Sequence, residues 1–279
     1  MKKIKIGGVP EHFNYPWKIG IKKGLFKQAG IDLTWIDFHG GTGEMSEALE
    51  TGEVDLAIML TEGSIKQIAD HKPFKILQKY IETPLYWGIY VKAGSIKNKI
   101  EDLKNDTIGV SRLGSGSHLM AYINAKSHNW NYNELDFTIA NNLEGLKKSI
   151  HSESSDYFMW EHFTTKPLVD QGELKHIEDV PTPWPCFVIV TTKQFYNQNK
   201  KIAEDLLQII NQITKKVKSQ KNLASEIAQN YQQKENDVIQ WLNQTEWSQH
   251  PIKINEFAKV KNELVNLNLI DTKIEFENI

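Results

Sequence analysis

The sequence predicts an α/β fold in two lobes with a helical C-terminal tail. Three features carry this reading. Strand-like and helix-like runs alternate from residue 4 to residue 177, two apolar runs at 86–91 and 186–191 bracket the middle of the alternation, and from about residue 198 the pattern is helical throughout. Taken in order, residues 4–9 are apolar and read as a strand, 16–28 as a helix ended by Gly30, and 32–38 as an alternating strand. Residues 44–50 form a helix stopped by Gly52, 54–59 a buried strand, 62–70 a short helix and 74–80 a strand. The middle repeats the rhythm: strand 107–110, helix 115–127, strand 135–139, helix 143–150, short strand 156–159, helix 161–169 and strand 174–177. Such alternation argues for parallel sheets with helices on their faces. The tail is rich in Lys, Asn and Gln and has no strand rhythm.

The runs at 86–91 and 186–191 are expected to carry the chain from one lobe to the other and back. This divides it into lobe one, residues 1–90 plus 190–279, and lobe two, residues 91–189. Two crossing strands would make a hinge, and small ligands favour the cleft between such lobes.

Composition narrows the partners. With 33 basic and 35 acidic residues the net charge is -2, so no overall basic field recruits nucleic acid or an anionic membrane. No apolar stretch is long enough to span a bilayer. The sole cysteine, Cys186, excludes an internal disulfide and any multi-cysteine metal or redox cluster, and its place in an apolar run suits a buried thiol. The start, Met1-Lys2-Lys3, leads straight into the first strand without an apolar signal core. The expectation is a monomer that stays in the cytoplasm, or is periplasmic or at the cell surface if a signal segment has been trimmed from it.

In parallel α/β sheets, ligands sit beyond the carboxyl ends of strands, where loops enter helix N-termini. Four such junctions are rich in small or polar residues: Gly40-Gly41-Thr42-Gly43, Thr61-Glu62-Gly63-Ser64, Gly114-Ser115-Gly116-Ser117-His118 and Trp160-Glu161-His162. Glycine lets a ligand approach the backbone, and first-turn N–H groups with the helix dipole favour an anion. Each junction alone reads equally as an ordinary cap or turn. Four together, split between the lobes, point to a site.

Arg112 stands out because 32 of the 33 basic residues are lysine. It lies between the strand at 107–110 and the glycine-serine helix start, and a planar fork that grips an anion bidentately is what lysine cannot supply. An ion pair bracing the hinge is the alternative role. Aromatic and histidine residues gather near the same loops: His12, Phe13, Tyr15 and Trp17, with Asn14 among them, then Trp87, Trp160, His162 and Trp184. Most must be core, yet together they suit a flat or apolar ligand body beside the charged group.

The run from Ile4 through Gly43, the segments GEVDLAIMLTEG and IEDLKNDTIGVSRLGSGSHLMAY, and the return strand resemble the NMT1/THI5-like family over roughly the first 195 residues. The resemblance implies a type II periplasmic-binding-protein fold with a ligand cleft between the lobes. That family includes substrate-binding components for sulfonates, nitrate and thiamine precursors. By resemblance, Gly41, Thr42, Thr61, Ser115, Ser117, His118 and Trp160 fall where such proteins line the cleft. Eukaryotic pyrimidine-synthase members carry a cysteine-rich active-site motif that a chain with only Cys186 does not reproduce.

The expected function is therefore a non-catalytic solute-binding protein that closes over a small, at least partly anionic organic molecule without a cofactor or metal, with an ABC-transporter permease as partner if it is exported. The alternative is a cytoplasmic enzyme on the same fold, resembling the lyases and dehydratases of alternative menaquinone synthesis, with His118, Glu62, Glu161 or His12 as general base. A dinucleotide-binding dehydrogenase ranks third. Gly41-Thr42-Gly43 follows the second strand, whereas the first strand leads into Pro10-Glu11-His12.

Overall fold

The first strand, β1 (Lys2–Gly8), buries Ile4 and Ile6 and enters a single 3-10 turn, His12–Asn14, that hands the chain to α1 (Tyr15–Lys22) with Pro16 at its first turn. The structure is a computed structural model describing residues 1–271 and 274–279. The helix expected over 16–28 is broken: Gly24 adopts φ +67°, a left-handed conformation that suits glycine, and α2 (Leu25–Gln28) follows as a separate turn. Next come β2 (Ile31–Asp37), α3 (Gly41–Thr51), β3 (Leu56–Leu60), α4 (Thr61–Ala69) and β4 (Phe74–Ile81). The middle of the chain supplies β5 (Tyr86–Lys92), β6 (Ile108–Val110), α5 (Gly116–Ser127), β7 (Phe137–Ile139), α6 (Leu143–His151), β8 (Tyr157–Glu161), α7 (His162–Asp170) and β9 (Leu174–Pro181). The return strand β10 (Phe187–Thr192) precedes α8 (Lys193–Gln198), α9 (Lys200–Val217), α10 (Leu223–Tyr231), α11 (Glu235–Gln244) and α12 (Ile254–Asn266).

These elements form two units. The first comprises residues 1–84, 184–231 and 238–279, and the second residues 85–183 and 232–237. The sequence placed the divisions at 90/91 and 189/190, inside two strands shared by the lobes. In the structure β5 belongs wholly to the second sheet and β10 wholly to the first, so the chain passes between units in the short segments just before each strand. Residues 232–237 join the second unit through bonds from Gln233 Nε2 to the Phe163 carbonyl (3.0 Å) and from Lys234 to Asp170 (2.8 Å).

The first sheet has the order β2-β1-β3-β10-β4, with β1 parallel to β2 and β3, and β10 antiparallel to both β3 and β4. The parallel sheets expected from the alternation are thus mixed. The reason is geometric: β4 delivers the chain to the sheet edge where β10 begins, with Ile81 opposite Phe187, so the returning strand must run the other way. Val188, Ile189 and Val190 are fully buried, which explains the unbroken apolar run, and each stabilises the unit by roughly 1.5–3 kcal/mol. The tail adds amphipathic helices: α9 buries Ala203, Leu206, Ile210, Ile213 and Val217 and lies against α1, while α12 lies against α4.

In the second unit the order is β7-β6-β8-β5-β9, with β6 parallel to β7 and β8, and β5 antiparallel to β8 and β9. Tyr86 pairs with Pro181, and Leu85 exchanges bonds with Thr182 (2.9 Å each way), so the entry and exit of this unit are fastened side by side.

Candidate functional site

In the first unit the polar junctions lie beyond the C-terminal ends of β2 and β3. Gly41 opens α3 at φ +67°, where a side chain would be strained. Thr42, in the same turn, accepts the Leu60 N–H through its hydroxyl (3.3 Å), tying the start of α3 to the end of β3. Thr61 begins α4 and is fully buried; its N–H reaches the Cys186 carbonyl (2.9 Å) and its hydroxyl donates to the Pro185 carbonyl (2.6 Å). Glycine at 63 permits this crowding, because a Cβ there would stand 2.7 Å from Thr42 Cγ2.

Glu62 follows Thr61 in the first turn of α4 and is 2% exposed. One carboxyl oxygen accepts the Trp184 indole N–H at 2.8 Å, and the other, Oε1, is buried without a hydrogen-bond partner among the described residues. Desolvation outweighs the pull of its own backbone N–H and of the Trp184 bond and raises the carboxyl to about 7, so near neutral pH it spends much of its time as a neutral acid that can donate from Oε1. Thr42, Thr61, Glu62 and Trp184 therefore form one patch. His12 and Asn14 sit at the end of β1. Full burial lowers the His12 imidazole to about 3, and its ring stacks on Phe13 and meets Trp241 edge-on at 4.2 Å. Phe13 packs on Phe187, the strand partner of Leu60, which joins this aromatic cluster to the Thr42–Trp184 patch. Asn14 donates to the Val9 carbonyl (2.9 Å) and buries an amide oxygen with no partner among the described residues.

In the second unit the equivalent position, the end of β6, leads into α5. Ser115 caps this 12-residue helix by accepting the His118 N–H (3.4 Å). Ser117 turns its hydroxyl back to accept the Ser111 N–H (3.0 Å) and shares a further bond with Ser115 (3.0 Å). The Gly116 and Ser117 N–H groups have no protein acceptor among the described residues. Arg112 is half-buried in the intervening loop, where its carbonyl accepts the Ser115 N–H (3.1 Å). His118 accepts the Gly114 N–H at Nδ1 (3.0 Å), so its neutral ring carries its proton on Nε2, and burial lowers the imidazole to about 4. Ser111, which directly precedes Arg112, was not singled out from the sequence.

Trp160 and Glu161 end β8, which α5 packs against. Trp160 is partly buried on the core formed by Tyr90, Leu146 and Phe158. Glu161 is 3% exposed and caps α7 by accepting the Thr164 N–H (2.6 Å), while burial raises its carboxyl. Two concavities of about 400 and 480 Å³ in the first unit, both lined by Pro73, lie at the end of its strands opposite its own polar junctions.

Each sheet thus repeats one plan: three parallel neighbours in the order second, first, third, then an antiparallel strand supplied from beyond a chain crossing or at its entry, then an outer strand. Superposition on solved structures matches this plan over the whole chain. The Candida albicans CA3427 gene product, reported to define a new family with the generic periplasmic binding protein fold, is 25% identical with a TM-score of 0.87 over 100% of this chain and 93% of that one. The chain has the type II periplasmic-binding-protein fold. The alkanesulfonate-binding protein SsuA from Xanthomonas axonopodis pv. citri, bound to MOPS, shares this fold at 13% identity and a TM-score of 0.82, covering 98% of this chain and 96% of that one. The periplasmic nitrate-binding protein NrtA from Synechocystis PCC 6803 shares it at 12% identity and a TM-score of 0.75, covering 100% and 84%. A family model described as Ca3427-like PBP, a periplasmic-binding-protein type, matches residues 87–180. A search of curated protein sequences found no match. Among the described residues, no helix is long and apolar enough to cross a membrane.

Proposed function

We propose that this protein is a solute-binding protein that closes over a small, at least partly anionic organic molecule and, where exported, serves an ABC-transporter permease. The observation that carries the proposal is the start of α5, where the Gly116 and Ser117 N–H groups, four and five residues after Arg112, have no protein acceptor among the described residues. Backbone donors at a helix start, together with a guanidinium, are suited to a sulfonate, phosphonate, carboxylate or nitrate oxygen. In the second unit Ser115, Gly116, Ser117 and His118 would hold an anionic group, and in the first unit Thr42, Glu62 and Trp184 offer ligand contacts of their own. A neutral Glu62 fits this role, because it donates a hydrogen bond to a ligand oxygen without repelling it. The likeness to alkanesulfonate- and nitrate-binding proteins supports the same ligand class.

Calorimetric titration with short alkanesulfonates, phosphonates, carboxylates and nitrate tests the proposal. One class should bind with a single site per chain and raise the melting temperature, and failure of every class would contradict it. The Glu62 carboxyl at about 7 favours one second reading, a general acid–base on the same fold. Recovery of a chemically altered ligand after incubation, abolished by Glu62→Gln, would establish that reading instead.

A further inference from the structure

We propose that His162, His176 and Asp179 form a binding site in the second unit for a zinc-class divalent transition-metal ion. His162 is the first residue of α7, immediately after β8, whereas His176 and Asp179 lie on β9, two strands away across β5. Residues three apart on a regular strand point to opposite faces. Here the register slips: Gly88 pairs with Asp179 and Tyr90 with His176, so two steps on β5 span three on β9. This bulge turns both side chains to the face of Gly88 and Tyr90. On the other side of β5, Trp160 pairs with Gly88, and His162 two residues on shares that face. Gly88 itself offers no side chain, and the Tyr90 ring lies over it, with its hydroxyl bonded to the His162 carbonyl (3.2 Å). The bare glycine is what makes room for the Tyr90 ring, whose hydroxyl reaches the first residue of α7.

The result is convergent. His162 Nδ1 and His176 Nε2 approach the same oxygen, Asp179 Oδ1, at 2.8 and 2.9 Å, with the imidazole rings 5.0 Å apart and nearly perpendicular. One ligand atom from each residue lies within 4.8 Å of the others. Two imidazole nitrogens and one carboxylate oxygen are a donor set suited to Zn²⁺ or Co²⁺, whose bonds of about 2.0–2.2 Å require these atoms to open to about 3.3 Å apart. Each ring can free its converging nitrogen by carrying its proton on the other one, so binding needs no further reactant. The side chains are 18, 29 and 31% exposed, which leaves an entry path and a coordination position for water or an anionic oxygen. The site lies on α7 and β9 and shares no residue with the start of α5.

The test is titration of the metal-free full chain with Zn²⁺ by calorimetry and with Co²⁺ by visible absorption and proton NMR, using wild type, His176→Gln and Asp179→Asn. The expected results are one ion per chain, paramagnetically shifted imidazole N–H signals in the wild type, and binding at least tenfold weaker in each variant. Melting curves without metal show whether a variant is folded; the wild-type NMR signals decide the question even if both variants unfold. Absence of saturable binding, absence of shifted imidazole signals, or equal binding by folded variants would overturn the proposal and leave the cluster as a hydrogen-bonded brace.

Discussion

Glu62 combines a sequence-visible position with a property that only burial supplies. Its folded carboxyl lies near 7 against an ordinary 4.5, so between those values the native chain holds a proton that the unfolded chain has released. Stability therefore falls as pH rises through that window, by up to about 3 kcal/mol at pH 8. Glu62→Gln keeps an acceptor for the Trp184 indole and never ionises. Chemical denaturation should find it more stable than wild type at pH 8, with the gap closing by pH 4, and a gap independent of pH would refute the assignment. His118 acts in the opposite direction: held near 4, it withdraws stability as pH falls from about 6.5. Arg112 carries the sharpest binding prediction. If its fork grips the ligand anion, Arg112→Lys should weaken binding more than tenfold although the charge is retained. Calorimetry on the anion that binds wild type measures this, and normal affinity combined with a lower melting temperature would make Arg112 a scaffold residue. Arg112, Ser115, Ser117 and Glu62 could be picked out as candidates because they stand at strand ends in an otherwise ordinary sequence. His176 and Asp179 could not, because their shared face depends on a register slip that periodicity cannot reveal.

At the scale of elements, alternation of apolar runs located the strands and the helices between them, yet two features escaped it. The helix over 16–28 breaks at Gly24, where one residue changes backbone region within an unchanged apolar pattern. The direction of β5 and β10 escaped because orientation is fixed by where the chain enters a sheet, information absent from any local window. Gly63 and Gly88 show glycine acting through the space it leaves. A Cβ at Gly88 would lie 2.2 Å from the Tyr90 hydroxyl, and one at Gly63 2.7 Å from Thr42 Cγ2. Gly88→Ala should cost about 1–3 kcal/mol in urea unfolding by displacing Tyr90 from the bulge, as expected for overpacking in a well-packed site. A neutral effect would mean that the bulge adapts freely. Gly63→Ala should weaken ligand binding more than it lowers stability, since it pushes apart the starts of α3 and α4, and calorimetry beside unfolding separates the two effects.

At the scale of the molecule, the chain builds one α/β unit, inserts a second, and returns to complete the first with β10 and the tail helices. The sequence showed that discontinuity through its two apolar runs. It misplaced the divisions because a strand serving one sheet is as apolar as one shared between two. The type II periplasmic-binding-protein fold follows from the strand order and from the likeness to solved structures across the chain. The central functional claim, reversible capture of a small anion without chemistry, is tested most directly by native mass spectrometry of protein purified under mild conditions and incubated with the anions of the titration panel. The account predicts one small molecule per chain, released with unchanged mass when the complex is dissociated and lost from Arg112→Lys. A bare chain at every anion concentration, or a released molecule of altered mass, would contradict it.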